Sequence, residues 1–112
     1  AKESTVHENY KQRIIKAKDI DSVVTGRTHG HPVRGLRNQM TREYTKLEQE
    51  GKSFEELEYL TLGALRKAVQ EGDVMNGTVM AGQIAGMISK EQTCKEMIDE
   101  MMEQAKKLLN RE

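Results

Sequence analysis

The apolar positions of this chain fall mostly at helical spacing, interrupted by one short β-like run and one long stretch almost free of charge. Val6, Tyr10 and Ile14 recur every fourth residue with Ile15 beside them, which predicts a helix over 6–18, capped by Ser4 or Thr5. Residues 20–25, Ile-Asp-Ser-Val-Val-Thr, are rich in β-branched side chains and predict a short strand ending at Gly26. A polar loop from Gly26 to His31 follows. Pro32 suits the first turn of a new helix, because its missing N–H has no intrahelical partner there. Val33, Leu36, Met40, Tyr44 and Leu47 then line one helical face up to about Glu50, and Gly51 closes it.

Ser53 and Glu56 form a capping-box pair ahead of Phe54, Leu57 and Leu60. Gly63 is expected to break that helix, and Leu65, Ala68 and Val69 carry its continuation to a C-cap at Gly72. A short helix is expected over 81–88. Ser89 and Gln92 repeat the capping-box spacing before a final helix, where Cys94, Met97, Ile98, Met101, Met102, Ala105, Leu108 and Leu109 keep helical spacing. The pattern thus gives about five helical segments and one strand. A lone strand has no ladder partner, so its partner is expected from a second copy or from sequence outside these residues.

The stretch Gly72 to Met87, GDVMNGTVMAGQIAGM, holds one charge, Asp73, in a chain that is 32% charged. Such a segment is expected to lie buried or pressed against something. Gly82 and Gly86 have the spacing of a flat helix strip, which close helix packing explains as well as ligand contact does. In the ligand reading, backbone N–H groups around Thr78 to Gly82 sit at a helix N-terminus and bind an anion or a polarised ring oxygen, with Gln83 adding a directed hydrogen bond. The glycine spacing is neither that of a P-loop nor that of a dinucleotide fingerprint.

Composition narrows the classes. Eighteen basic and eighteen acidic residues balance, which argues against a nucleic-acid partner. Aromatics are 4% with no Trp, and seven Met supply much of the apolar volume, so independent folding is doubtful and a larger assembly is expected. One cysteine excludes an internal disulfide, and a reducing, cytoplasmic location is expected. Cys94 reads as a small core residue. No apolar run is long enough to span a membrane.

His29 and His31 invite a metal reading, but a third ligand of suitable type is missing nearby and no metal is expected. His31 and Arg34 near a helix start make an anion site, and a structured loop bonded to backbone carbonyls fits them equally. Asp73 is expected to cap the turn that follows it rather than hold a ligand hydroxyl. Charged pairs such as Glu43, Lys46 and Glu50 are solvated helix surface, and the Met97, Met101, Met102 cluster is core.

Two blocks, Gly30-His31-Pro32-Val33-Arg34-Gly35-Leu36-Arg37-Asn38 and the run from Gly72 to Gly86, resemble the C-terminal third of FMN-dependent enoyl-acyl-carrier-protein reductase II, a family grouped with the nitronate monooxygenases (2-nitropropane dioxygenases). The resemblance extends over essentially the whole chain. It implies the C-terminal part of an α/β (β/α)₈ TIM barrel, with residues 1–112 a mainly helical segment containing one short strand rather than a complete domain. It implies FMN and NAD(P)H as cofactors, and a trans-2-enoyl thioester carried on acyl carrier protein as substrate in fatty-acid elongation. The missing N-terminal barrel portion would be a partner, and a homo-oligomer is expected. Neither nucleic acid nor membrane is expected as a partner. Thr78, Met80, Gly82 and Gln83 are implied near the flavin, and Gly30, His31 and Arg34 in a substrate-side loop. The family's active-site His and phosphate-binding strands precede Ala1, so no catalytic acid or base is assigned here. Met80 points to the reductases, since nitronate monooxygenases tend to carry Trp there and often Arg-Pro in place of His31-Pro32. Thr78 stands where Ser is more usual and keeps the hydroxyl. Two other readings stand beside this one: a nitronate monooxygenase segment, and a non-enzymatic helical module docking through its Met-rich last helix.

Overall fold

The computed structural model describes residues 1–110. Five α-helices and a two-stranded antiparallel sheet are joined by two 3₁₀ turns: α1 (Glu8–Ile15), β1 (Ser22–Thr25), β2 (Val33–Leu36), α2 (Gln39–Gln49), α3 (Phe54–Thr61), α4 (Ala64–Val69) and α5 (Cys94–Leu109). The 3₁₀ turns span Arg27–His29 and Gln83–Met87. Helix α1 starts later than the periodicity suggests, because His7 rather than Ser4 or Thr5 accepts the capping N–H, from Asn9. Ser53 and Glu56 form the reciprocal capping box expected at α3, and Gly63, at φ 76°, separates α3 from α4.

The strand at 22–25 is not alone. Residues 33–36 form β2 instead of the first turn of a helix, with Ser22 paired to Leu36 and Thr25 to Val33. A run as short as Val-Arg-Gly-Leu satisfies helical and strand spacing alike, so periodicity cannot separate them. The helix that follows begins only after Asn38, whose side chain accepts the Thr41 N–H while Thr41 Oγ1 accepts the N–H of Asn38. Strand partner and helix start are therefore both inside the chain.

A third extended piece lies along β2. Leu36 N–H donates to the Val79 carbonyl at 2.8 Å, Ala81 N–H donates to the Arg34 carbonyl, and Gly35 and Met80 form an antiparallel bridge. Alternation then sorts its side chains: Val79 and Leu36 turn into the core with Tyr10, Ala17, Ala68 and Ala85, while Thr78 and Met80 face the other way. A second, smaller core holds Met40, Tyr44 and Leu57. The Gly72–Met87 stretch is thus an extended wall and a 3₁₀ turn, not the N-terminus of a regular helix. The N–H of Thr78 is already taken by the Ala64 carbonyl and that of Ala81 by Arg34, so these donors do not serve an anion. Asp73 caps its turn as expected, accepting from the N–H groups of Met75 and Asn76.

Helix α5 corrects two further expectations. Its N-cap is Thr93, accepting from Glu96 N–H, rather than Ser89. Its start is tied down by Glu3, whose carboxylate accepts the Cys94 N–H and is held below its ordinary pKa by that bond. No residue of α5 is buried; Met101 and Met102 are 60% and 56% exposed, and Cys94 is exposed too. They are not core, because no described element packs over them. Fourteen large apolar side chains are exposed against three that are fully buried, Leu36, Leu57 and Val79. The radius of gyration is 17.0 Å, where a compact domain of similar length has about 13 Å. The described residues therefore do not close a single core of their own.

Asn38 is the tie between these parts. Its amide donates to the carbonyls of Val74 at 2.8 Å and Gly77 at 2.7 Å, while its oxygen caps α2. Replacing Asn38 by Ala removes the cap and leaves two carbonyls without donors, an expected loss of roughly 2–4 kcal/mol. Denaturant unfolding of the Asn38→Ala protein, read by its midpoint at unchanged slope, checks this.

Candidate functional site

The alternation along 78–80 builds one side of a cavity of about 230 Å³. Thr78 and Met80 contribute from the extended wall, and Thr25 and Val33, which are register partners, from the hairpin. Met40 and Tyr44 of α2, Phe54 and Thr61 of α3, and Leu65 of α4 close the other side, with His31 at the hairpin loop. Gly35 matters here through what it lacks: a Cβ would stand 2.8 Å from the Val79 carbonyl oxygen, so only glycine lets the wall lie against β2. Tyr10 fixes the wall from behind, its buried hydroxyl donating to the Met80 carbonyl at 2.6 Å.

The lining is apolar and hydroxylic. No Asp, Glu, Lys or Arg contributes to it. The cavity therefore suits an uncharged flat ring or an acyl chain with a few acceptor atoms, and offers no cation for a phosphate. Burial and the neighbouring Glu48 carboxylate push the Tyr44 phenol above its ordinary pKa, so it stays protonated and can donate.

Of the seven residues singled out in the sequence, three meet at this cavity: Thr78, Met80 and His31. Gly82 and Gln83 lie beyond it, at the start of the exposed 3₁₀ turn. Gly82 has no heavy atom within 4 Å of the place a Cβ would take, so its surface is open to another molecule. Gly86 differs from it: Asp19 and Lys18 press on its backbone, which makes that half of the glycine strip a packing device. Gly30 ends the Arg27–His29 turn at φ 73° and does not reach the cavity. Arg34 sits on β2 with its guanidinium donating to Ser22 Oγ at 2.9 Å, so neither it nor His31 stands at the helix start expected there.

His31 stacks on Phe54, ring centroids 4.7 Å apart, and His29 lies 6.1 Å from the same ring. Among the described residues no group of three or more His, Cys, Asp or Glu is placed to hold a metal. Thr25, Val33, Met40, Tyr44, Phe54, Thr61 and Leu65 carry no sequence signal that marks them as site residues. Met40 and Tyr44 were legible only as the apolar face of a helix, and nothing in their spacing distinguishes a cavity wall from a core.

Comparison with known proteins points the same way. The sequence pattern described as nitronate monooxygenase matches residues 1–104. A curated relative, a probable nitronate monooxygenase of Staphylococcus saprophyticus, is 25% identical over 109 residues, 97% of this chain and 30% of its own length. The solved structure of FabK from Thermotoga maritima superposes with a TM-score of 0.86 at 38% identity, over 93% of this chain and 33% of that one. A mutant of the same FabK gives a TM-score of 0.76 at 35% identity, over 95% of this chain and 31% of that one. The chain spans about a third of the length of these relatives. Since FabK is a TIM barrel, the fold is that of a barrel segment, mainly helical, with two short strands in place of the one expected.

The Tyr10 hydroxyl sets the position of Met80, so Tyr10→Phe is expected to cost about 1 kcal/mol of stability. Thermal unfolding of that variant measures the loss, and Tyr10→Leu, which also removes ring packing, should lose more.

Proposed function

The chain belongs to the nitronate monooxygenase family, and from that premise we propose that it is the segment of an FMN- and NAD(P)H-dependent enoyl-acyl-carrier-protein reductase that walls the flavin and substrate pocket. The observation that carries this reading is the cavity in which Thr78, Met80 and His31 converge, with no Asp, Glu, Lys or Arg in its lining. When bound, FMN supplies the hydride chemistry, relaying reducing equivalents from NAD(P)H to the β-carbon of a trans-2-enoyl thioester. The residues of this chain do the rest of what a wall must do. Met80, Val33, Met40 and Leu65 exclude water and offer apolar surface to a ring or an acyl chain. Thr78 and Tyr44 offer hydroxyls to its polar atoms. The open backbone at Gly82 lets a ligand ring approach closely.

The fit to the cofactor is partial in an informative way. A complete small-molecule pocket usually spans about 300–1,000 Å³, and this cavity is 230 Å³. No Lys or Arg lines it, and on this reading residues outside this chain hold the FMN phosphate. On this reading the exposed apolar side chains of α5 and of the Gln83–Met87 turn meet the N-terminal barrel portion. The protein works in the cytoplasm on an acyl-carrier-protein-bound substrate, and a homo-oligomer is proposed with it.

Nitronate oxidation is the second reading, and the Staphylococcus relative favours it. The higher identity to FabK, 38% against 25%, supports reduction. So does Met80, half exposed to the cavity where the other activity tends to use Trp. The complete protein is expected to bind flavin, show its yellow absorption, and reduce a short enoyl thioester with NADH or NADPH while leaving nitronates unconsumed. In it, Met80→Trp is expected to lower kcat/KM for the thioester at least tenfold with flavin still bound. A colourless protein after flavin addition, or nitronate turnover without enoyl reduction, sinks this assignment.

A further inference from the structure

Two tyrosines of this chain are equally buried, Tyr10 at 7% and Tyr44 at 5% exposure, yet they are treated differently. The Tyr10 hydroxyl donates to a backbone carbonyl. The Tyr44 hydroxyl has no hydrogen-bond partner among the described residues, and neither do the hydroxyls of Thr25 and Thr78. All three residues line the same apolar cavity. None of these oxygens is among the buried, sealed-off polar atoms without a partner, so each keeps accessible surface on a residue that lines the cavity. Thr61, also on the lining, is satisfied by the Glu58 carbonyl. The one acidic group beside Tyr44, Glu48, accepts from Thr28 at 2.6 Å instead.

Asn38, by contrast, has its amide and its backbone groups all paired, while three hydroxyls on one cavity lining have no protein partner. An accessible hydroxyl with no protein partner is free to donate to a ligand acceptor without breaking an internal bond. No Lys or Arg lines the cavity, which favours a neutral acceptor over an anion. A carbonyl oxygen, with two lone pairs and no charge, is an acceptor of that kind.

We propose that Tyr44, flanked by Thr25 and Thr78, is a binding residue that donates a hydrogen bond to a carbonyl oxygen of the ligand held in this cavity. This rests on the reading of the cavity as a flavin and acyl-thioester wall, where carbonyls of two kinds qualify: that of the thioester and those of the flavin ring. The phenol is a better donor than either threonine, and burial keeps it protonated.

The test uses the complete flavin-loaded protein and the variant Tyr44→Phe, which keeps the ring and removes only the hydroxyl. A thioester carbonyl predicts a KM for a short enoyl N-acetylcysteamine thioester raised roughly five- to tenfold, the weight of one ordinary neutral hydrogen bond, with flavin affinity unchanged. A flavin carbonyl predicts a similar loss of FMN affinity and a shifted flavin absorption maximum. In both cases thermal stability of the ligand-free variant is unchanged, because no internal partner is lost. Thr25→Val is expected to act in the same direction with a smaller factor.

If Tyr44→Phe leaves KM and FMN affinity within twofold while the parent protein reduces the thioester, the inference is overturned and the reductase reading survives. A ligand-free variant that melts well below the parent shows an internal partner for the hydroxyl and also overturns it. A parent protein that binds neither FMN nor the thioester overturns both.

Discussion

One carboxamide holds the architecture together. Asn38 lies between β2 and α2 and is almost wholly buried. Its oxygen starts α2, and its two amide hydrogens take the carbonyls of Val74 and Gly77. Those carbonyls belong to the turn that precedes the extended wall. The turn therefore cannot shift without breaking a helix cap, and the helix cannot fray without releasing the turn. Buried polar networks that are fully satisfied rigidify what they join. Here they fix the height at which Thr78, Val79 and Met80 run beside β2, and so the size of the cavity.

Glycines make that approach possible. At Gly77 a Cβ would fall within 3.0 Å of backbone atoms of Asp73, Ala68 and Ala64, so α4 rests directly on the turn. At Gly35 the wall takes the place of a side chain. With a single Phe and no Trp, the chain cannot fill gaps between elements with large rings. It brings backbones together instead, and reserves Tyr44, Phe54 and Met40 for the cavity face. The cost is a thin structure that leaves large apolar side chains such as Ile84, Met87, Ile98, Met101 and Leu109 exposed. The chain spans about a third of the relatives it resembles, which sets those exposed faces in a barrel-sized context.

Much of the local structure was legible in the residues. The Ser53–Glu56 capping box, the break at Gly63, the turn held by Asp73 and the strand ending at Gly26 all follow from side-chain hydrogen bonding and backbone sterics within a few positions. The family was legible as well, through the His31-Pro32-Val33-Arg34 block and the Gly72–Gly86 run. Local signals failed where one pattern serves two structures. Val33 to Leu36 fits a helix or a strand, and only pairing with Ser22–Thr25 makes it β2. The Met-rich face of α5 has the spacing of a core, and it stays exposed because no described element covers it.

The sequence by itself determined most of the helices and the first strand, the charge-free stretch and the residue types available for chemistry, because propensity, capping and turn preference act over short distances. Only the tertiary structure decided which of those residues meet. Thr25, His31, Tyr44 and Thr78 are separated by up to fifty-three positions yet share one cavity. Their meeting depends on strand register, on the close approach permitted at Gly35 and Gly77, and on the hydrogen bonds of Asn38. These are relations between distant parts of the chain, and no local window contains them.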